Sequence, residues 1–343
     1  MTHPRFNSVI PVIPVIPVTP VKALAHLTAV AALALGGVAA HAQAAYPSKP
    51  VQLVIPFPPG GATDVIGRLV ATQLAAQLGQ PVVIDNRAGA GTVVGAAYVA
   101  KAEPDGYTLL ISSGTTFTIN PALQPRLPYD PLKSFEAIGM TGRTGLILLA
   151  NANLPYKTFK EVAAAAKAKP DRFTYGSYGN GTTAHFTGEM VKYSAGISML
   201  HVPYKGSAPA MTDLMGGQID FTVDTVAAAL PQLKSGRIKA IAVTTDKRST
   251  LLPNVPTLQE SGVQMPSMDT WLAVMAPRGL PPQVKARLSK ALADVLAQPA
   301  TRDKLIAAGF EPAYASGAAV EALIAAELPS MRALAVRANI KSE

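Results

Sequence analysis

Apolar and polar positions alternate along the chain in two rhythms, and each predicts one type of secondary structure. Short apolar runs rich in β-branched residues predict strands, and longer stretches with apolar residues three or four positions apart predict helices. Strands are predicted at 51–57, 81–85, 107–112, 146–150, 173–177, 198–203, 219–223, 238–244 and 271–277. Helices are predicted at 62–78, 92–102, 158–168, 182–195, 207–215, 225–234, 281–297, 301–308 and 317–338.

This alternation is typical of α/β folds whose sheets contain mostly parallel strands. In open α/β sheets, ligands bind at the carboxyl ends of the strands. The glycine-rich turns that follow strands are therefore the first places to expect a site. Three such turns stand out, at 56–64 (PFPPGGATD), 85–95 (DNRAGAGTVVG) and 175–185 (YGSYGNGTTAH).

Residues 1–44 have the features of a cleavable secretion leader. Arg5 and Lys22 supply positive charge, and an alanine-rich apolar run follows at 23–40. An uncleaved membrane anchor is the rival interpretation, because that run approaches the roughly 18 residues of a membrane span. Its alanine richness and the small residues that end at Ala44 favour cleavage. We therefore predict a soluble exported protein beginning near residue 45, located in the periplasm.

Composition excludes several classes of chemistry. The chain has no cysteine, which rules out disulfides, thiolate catalysis and cysteine-ligated metals. It has 30 basic and 21 acidic residues, and the basic ones are scattered, which argues against a nucleic-acid partner. A mildly positive field would suit small anions, although charge that serves solubility alone fits equally well. Only His185 and His201 lie beyond the leader, so we expect no metal and no cofactor.

The turn at 56–64 has the features of an anion site. A strand that ends in Pro-Pro-Gly-Gly and opens a helix leaves the first N–H groups of that helix without intrahelical partners. Gly60 and Gly61 carry no Cβ, so a ligand can approach the backbone closely. The unpaired donors and the helix dipole both attract negative charge.

The turn at 175–185 repeats this arrangement, with Thr182 and Thr183 at the start of a helix. Their hydroxyl and N–H groups can hold a carboxylate or phosphate, although helix capping by threonine is the ordinary explanation of one such turn. Two turns of this kind favour a shared anion site. The segment from Gly176 fits a P-loop outline, but Thr182 stands where that loop needs lysine, so nucleotide hydrolysis is not expected.

The spacing in the 85–95 turn is one residue too long for a dinucleotide fingerprint and predicts a structural turn.

Other polar residues near strand ends leave two interpretations open. His185 either faces a bound anion or packs, whereas His201 lies in an apolar strand and is expected to be structural. Lys205 follows a strand and contacts an anion or points to solvent. Asp224 is either a helix N-cap or an acceptor for a ligand hydroxyl or ammonium. Trp271, the one tryptophan in the sequence, is expected in the core.

With these turns in view, the sequence resembles the Bug family, the periplasmic solute-binding components of tripartite tricarboxylate transporters. The resemblance runs over essentially the whole of 45–343. Its blocks are YPSKPVQLVIPFPPGGATD, VVIDNRAGAG, EPDGYTLL, NPAL with LPYDP, FTYGSYGNGTTAHFTGE, HVPYKGSAPAMTDLMGGQIDF, SGRIKAIAVTT and LPNVPTLQESG.

The resemblance implies a two-lobed α/β fold of the periplasmic-binding-protein (Venus-flytrap, type II) class that closes on a small carboxylate. We expect 45–146 and 269–343 to form lobe 1 and 147–268 to form lobe 2, with two chain crossings as a hinge. Carried over to this chain, the implied ligand contacts are Phe57, Pro59, Gly60, Gly61, Thr63, Asp64, Ser113, Thr115, Gly179, Gly181, Thr182, Thr183, His185, Tyr204 and Asp224.

Two features bear on ligand choice. A carboxylate beside an anionic ligand is unfavourable unless it binds an ammonium, a hydroxyl or water, so Asp64 is the predicted selector among acids. The aromatic residues either line a cleft that accepts aromatic ligands or belong to the lobe cores. They are Phe57, Phe117, Tyr178 and Tyr204.

The sequence therefore predicts a monomeric binding protein, not an enzyme, that captures a mono-, di- or tricarboxylate. Its expected partners are that ligand and the large and small membrane subunits of a permease. One alternative is a ligand-loaded sensor that docks on a histidine kinase. Another is a secreted esterase that uses Ser177 or Thr182 with His185, although no G-x-S-x-G elbow is present.

Overall fold

The computed structural model describes residues 46–341 together with Pro14, so the predicted leader and its cleavage site lie outside the described residues apart from that one proline. Over the described part of the chain, no helix combines the length and apolar character that a bilayer crossing requires. The strands are β1 (Val51–Ile55), β2 (Val82–Asn86), β3 (Thr108–Ser113), β4 (Phe135–Asn151), β5 (Thr174–Ser177), β6 (Leu200–Pro203), β7 (Phe221–Thr225), β8 (Ile238–Val243), β9 (Asp269–Pro277) and β10 (Ala315–Ser316). The helices are α1 (Ala62–Leu78), α2 (Val93–Ala100), α3 (Asn120–Leu123), α4 (Phe159–Ala168), α5 (Thr183–Ala195), α6 (Ser207–Gly216), α7 (Val226–Leu233), α8 (Pro282–Ala297), α9 (Pro299–Ala307) and α10 (Gly317–Arg337).

The strands form one continuous hydrogen-bonded path in the order β2-β1-β3-β9-β4-β7-β5-β6, with β8 and β10 paired to β4. Pairing is parallel at both ends of this path, where β1 lies between β2 and β3 and β5 lies between β6 and β7. Every pair that includes β4 or β9 is antiparallel. The sheet is thus mixed, and the predicted parallel pairing is found in its two outer parts.

Strand β4 joins the two parts of the sheet. Its first part pairs with β9 as far as Gly145, and its last part, from Leu146, pairs with β7. The sequence predicts only 146–150 of this strand, because glycine and polar residues interrupt the apolar pattern before Leu146. The division into lobes at 146/147 and 268/269 stays a prediction.

Alternating side chains of β1 explain how the sheet is covered on both faces. Leu53 and Ile55 pack in a cluster with Ile66 and Val70 of α1. Val54 faces the opposite cluster, which contains Trp271. Trp271 is only 1% exposed, so its predicted place in the core is confirmed.

Several predicted boundaries differ from those of the structure for identifiable reasons. Strand β1 ends at Ile55, two residues early, because the prolines that follow have no N–H to donate to a neighbouring strand. Helix α1 covers the predicted residues. The sequence analysis predicts no helix directly after β3, where the structure has a π-helical turn at Thr115–Ile119 and then α3.

Candidate functional site

A small cavity lies where the ends of several strands meet the starts of α1 and α6. Its volume is about 40 Å³, and we call it the inner cavity. A site of this size holds a few atoms, on the scale of one ligand head group or two or three waters. Its lining residues are Phe57, Pro58, Gly61, Ala62, Thr63, Ser113, Tyr178, Gly206, Ser207, Asp224, Thr225, Thr270, Leu272 and Phe310.

A larger space of about 790 Å³, which we call the outer cleft, adjoins the inner cavity. The two spaces share Phe57, Pro58, Tyr178 and Gly206. The rings of Phe57 and Tyr178 meet edge to face, with centroids 6.3 Å apart. This aromatic pair therefore stands at the border between the two spaces. Phe117, in contrast, is fully buried and stacks on Trp271, so it belongs to the core.

The first glycine turn places the start of α1 against the inner cavity. The N-cap residue is Gly61, and no side chain caps the helix. Gly61, Ala62 and Thr63 line the cavity, so the first N–H groups of the helix lie at its wall. Gly60 has φ +87°, a conformation that side chains with a Cβ rarely adopt, which explains glycine at this position.

Asp64, the predicted selector, lies outside the lining of both spaces. Its carboxylate accepts hydrogen bonds from the Gly60 N–H at 3.0 Å, Arg68 Nε at 3.0 Å and Asn86 Nδ2 at 2.9 Å. Burial acts to raise the pKa of Asp64, but the bonds from Arg68, Gly60 and Asn86 outweigh it and hold the pKa below its usual value. Asp64 therefore stabilises the first turn, and its geometry does not favour direct ligand selection.

The second glycine turn is capped by its own neighbours. Thr182 Oγ1 donates to the Gly179 carbonyl at 2.6 Å and accepts from the His185 N–H at 3.5 Å. The Thr183 N–H donates to Thr115 Oγ1 at 3.0 Å, and the Gly181 N–H donates to His185 Nδ1 at 3.3 Å. These bonds use the donors that the sequence analysis assigned to an anion.

Tyr178 completes this capped end. Its hydroxyl lies within hydrogen-bonding reach of the Thr183 side chain, the Ala184 N–H and the Thr115 side chain. Burial, followed by the nearby charge of Asp224, raises the pKa of Tyr178, so the hydroxyl stays protonated. A neutral hydroxyl thus occupies the start of α5.

Asp224 contributes a buried carboxylate to the inner cavity. Ser207 Oγ and the Thr225 N–H, the latter at 2.7 Å, both donate to it. Burial raises its pKa to about 6, although these bonds act in the opposite direction. Within the described part of the chain, Asp224 is the one charged residue that lines the inner cavity.

The histidines lie behind the second turn and form a stack. His201 lies between His185, at 4.3 Å between ring centroids, and Tyr175, at 4.8 Å. Burial, then the charges of His185 and Lys192, lower the pKa of His201 to about 3. Ser177 Oγ is 2.8 Å from His201 Nε2, so the serine of the esterase alternative pairs with His201 and not with His185. Ser177 is fully buried, which leaves no approach for an ester substrate.

The predicted contacts fall into three groups. The inner cavity is lined by Phe57, Gly61, Thr63, Ser113 and Asp224, and the outer cleft by Phe57, Gly179, Thr182 and Tyr204. Neither space is lined by Pro59, Gly60, Asp64, Thr115, Gly181, Thr183 or His185. The sequence analysis missed Pro58, Ala62, Gly206, Ser207, Thr225, Thr270, Leu272 and Phe310. Ala62 and Thr225 lie next to predicted contacts in the sequence, whereas Phe310 lies far from all of them.

Two α/β halves joined by a long shared strand, with cavities where strand ends meet, define a two-lobed solute-binding fold. Residues 66–340 match the model of the tripartite tricarboxylate transporter family receptor, TctC. The chain belongs to this family of Bug-type receptors.

Individual relatives match over most of their length. BugT of Bordetella pertussis is 37% identical over 298 residues, which cover 86% of this chain and 91% of BugT. An R. palustris protein solved with adipate is 34% identical with a TM-score of 0.84, over 86% of this chain and 99% of that one. MatC from Rhodopseudomonas palustris, solved with malate, is 30% identical with a TM-score of 0.79, over 84% of this chain and 99% of MatC.

Proposed function

We propose that this protein is a periplasmic receptor that captures a small organic carboxylate and delivers it to a tripartite tricarboxylate permease. The observation that carries the proposal is the uncapped start of α1 at the wall of the inner cavity. Helix N–H groups and the helix dipole stabilise an anion there without any basic side chain. Family relatives solved with adipate and malate support a carboxylate as the ligand.

The two adjoining spaces suit capture of a whole small molecule. A carboxylate in the inner cavity reaches the α1 donors, and the rest of the ligand passes Phe57 and Tyr178 into the outer cleft. Burial on closure removes water and strengthens each hydrogen bond to the anion. No covalent step is needed, and the proposal assigns the protein no catalytic activity.

A thermal-shift screen of the purified protein tests this ligand class. The screen compares aliphatic and aromatic carboxylates with the corresponding amides, which keep the skeleton but lack the charge. An acid present at about a hundred times its Kd should add roughly 2.7 kcal/mol to the free energy of unfolding, and the amide should add far less. A response to sugars or cations, with none to any acid, would contradict the proposal.

Delivery needs a separate measurement, because a sensor for a histidine kinase would bind the same ligand. Proteoliposomes that hold the large and small membrane subunits should take up labelled acid only when the loaded protein is added outside. Uptake that is the same without the protein would contradict delivery. Stimulation of a neighbouring kinase by the loaded protein would support the sensor instead.

A further inference from the structure

One hydroxyl group at the inner cavity lacks a hydrogen-bond partner. Thr270, at the start of β9, is 4% exposed and lines the cavity. Among the described residues its Oγ1 has no hydrogen-bond partner in the protein. Native proteins pair nearly all buried polar groups, so a ligand atom or a water in the adjoining cavity is the expected partner of this hydroxyl.

Asp224 lines the same cavity and, when ionised, can only accept hydrogen bonds. Ser207 and Thr225 donate to its carboxylate, but an ionised carboxylate has about four acceptor positions and can take further donors. The cavity has no basic lining residue among those described, so the further donors open to Asp224 are neutral hydroxyls, water or a donor group of the ligand. A carboxylate ligand with no donor would instead place two like charges close together.

The start of α1 and Asp224 lie close together at the cavity. A Cβ at position 61 would lie 3.9 Å from Ser207 Cβ, and Ser207 Oγ donates to Asp224. A ligand carboxylate at the start of α1 therefore brings a donor on its adjacent carbon toward Asp224. The larger outer cleft leaves room for the rest of the molecule.

We propose that the inner cavity selects a 2-hydroxy or 2-amino carboxylate head group. Its carboxylate accepts from the start of α1 and from Thr270, and its hydroxyl or ammonium donates to Asp224. The proposal rests on the carboxylate-binding function above and specifies the ligand class of that site. It also predicts tolerance of different tails, because these extend past Phe57 and Tyr178.

Calorimetry at pH 8, where Asp224 is ionised because its pKa is about 6, tests the proposal with matched probes. Malate and aspartate should each bind at least about tenfold more tightly than succinate, because each adds one hydrogen bond to a charged group. In a second series, 2-hydroxybutyrate should bind more tightly than 3-hydroxybutyrate or butyrate. Equal affinities within these series would overturn the proposal.

Two substitutions separate the roles of the cavity residues. Asp224→Asn should weaken aspartate and strengthen succinate, so that the preference falls by about tenfold or more. Thr270→Val, which is nearly isosteric, should weaken all acids by a similar factor. The matched control is Thr187→Val, because Thr187 also has a buried hydroxyl without a protein partner but lines neither space.

The outcomes distinguish this proposal from the proposed function. If the acids bind but Asp224→Asn leaves the aspartate-to-succinate ratio unchanged, the head-group assignment is wrong and carboxylate binding stands. If Thr187→Val weakens binding as much as Thr270→Val, the assignment of Thr270 is wrong. If no acid binds the wild-type protein, the proposed function itself fails.

Discussion

The two glycine turns look alike in sequence and differ in what the folded chain does with them. At the first turn, Gly61 caps α1 without a side chain, and the start of the helix lies at the inner cavity. At the second, Thr182 caps α5, and Thr115 accepts the next N–H. The first turn has its donors open to a ligand, whereas the second has already used them.

The difference shows that glycine alone does not make an anion site. Glycine permits close approach, but the residue at the N-cap and the neighbours that fold onto the turn decide whether donors remain. Thr115 lies 68 residues before Thr183 in the chain, so no local pattern reveals this cap. The paired anion site predicted from the sequence is therefore asymmetric, with its open end on α1.

The largest expected effect is on ligand affinity, from Ala62→Pro in the first turn. Proline at the first helical position removes one N–H at the cavity and is tolerated there by the helix. Gly61, with φ −82° and ψ 171°, already has the extended conformation that precedes proline. Calorimetry should show carboxylate affinity falling by about tenfold or more, because a hydrogen bond to a charged group contributes about 1.5–3 kcal/mol.

Ala62→Val is the matched control for this change. Valine adds bulk comparable to that of proline but keeps the N–H, so any common loss of affinity reports steric blocking. Equal losses in the two variants would contradict the role of the backbone donor. The thermal midpoint without ligand should be nearly unchanged in both.

At the second turn, the expected effect is on stability. Thr115→Val removes the acceptor of the Thr183 N–H and the 2.8 Å bond between the two threonine hydroxyls, in a fully buried place. Leaving a buried donor unpaired should cost about 1–3 kcal/mol in the free energy of unfolding, measured by urea denaturation. Carboxylate affinity should change by less than about twofold.

Thr187→Val again provides the control, because it removes a buried hydroxyl that has no partner to lose. Its stability should stay close to that of the wild type. A tenfold loss of affinity in Thr115→Val at unchanged stability would show that the second turn holds the anion after all, as the sequence pattern predicts.

Most helices and strands could be predicted because they depend on local patterns. Helix α1 shows its apolar spacing and its Pro-Pro-Gly-Gly start within one segment. The first part of β4 could not be predicted, since its strand conformation depends on pairing with β9, more than a hundred residues away. Periodicity describes one segment, whereas this pairing is a tertiary interaction.

The candidate site could be predicted in part for the same reason. Phe57, Gly61 and Asp224 lie at strand ends, where α/β folds bind ligands, and the structure places them at the inner cavity. The sequence could not show that Asp64 turns toward Arg68 and Asn86, because Asn86 comes from a neighbouring strand. Thr270 was missed because an unpaired hydroxyl is visible only once its surroundings are known.

The two turns should also respond differently to acid, because His201 borders only the second. Its pKa is lowered to about 3 in the folded state, so between that value and about 6.5 the unfolded chain binds a proton that the folded chain refuses. Stability is therefore lost as pH falls through this range, and the His201 contribution to this loss is roughly 1.4 kcal/mol at pH 5.5. Asp224 has the opposite effect on stability. Its pKa is raised to about 6, so the folded chain takes up a proton there as the pH falls, and the cost of burying its charge disappears.

His201→Phe isolates the histidine contribution, because phenylalanine keeps the stack on Tyr175 and His185 but does not titrate. From pH 7.5 to 5.5, the urea midpoint of the wild type should fall relative to that of His201→Phe, because only the wild type loses the His201 contribution, whereas Asp224 acts equally on both proteins. An equal difference in both proteins would show that His201 does not set the acid response of the second turn.

The smallest expected effect comes from Asp64→Asn, and it tests whether the first turn contains a selector. The asparagine oxygen can still accept from the Gly60 N–H and Arg68, so we expect a loss of about 1 kcal/mol or less in the free energy of unfolding. All acids should weaken by one common, small factor, because Asp64 holds the turn and lies outside the inner cavity. A changed rank order among succinate, malate and aspartate would instead make Asp64 the selector and remove that role from Asp224.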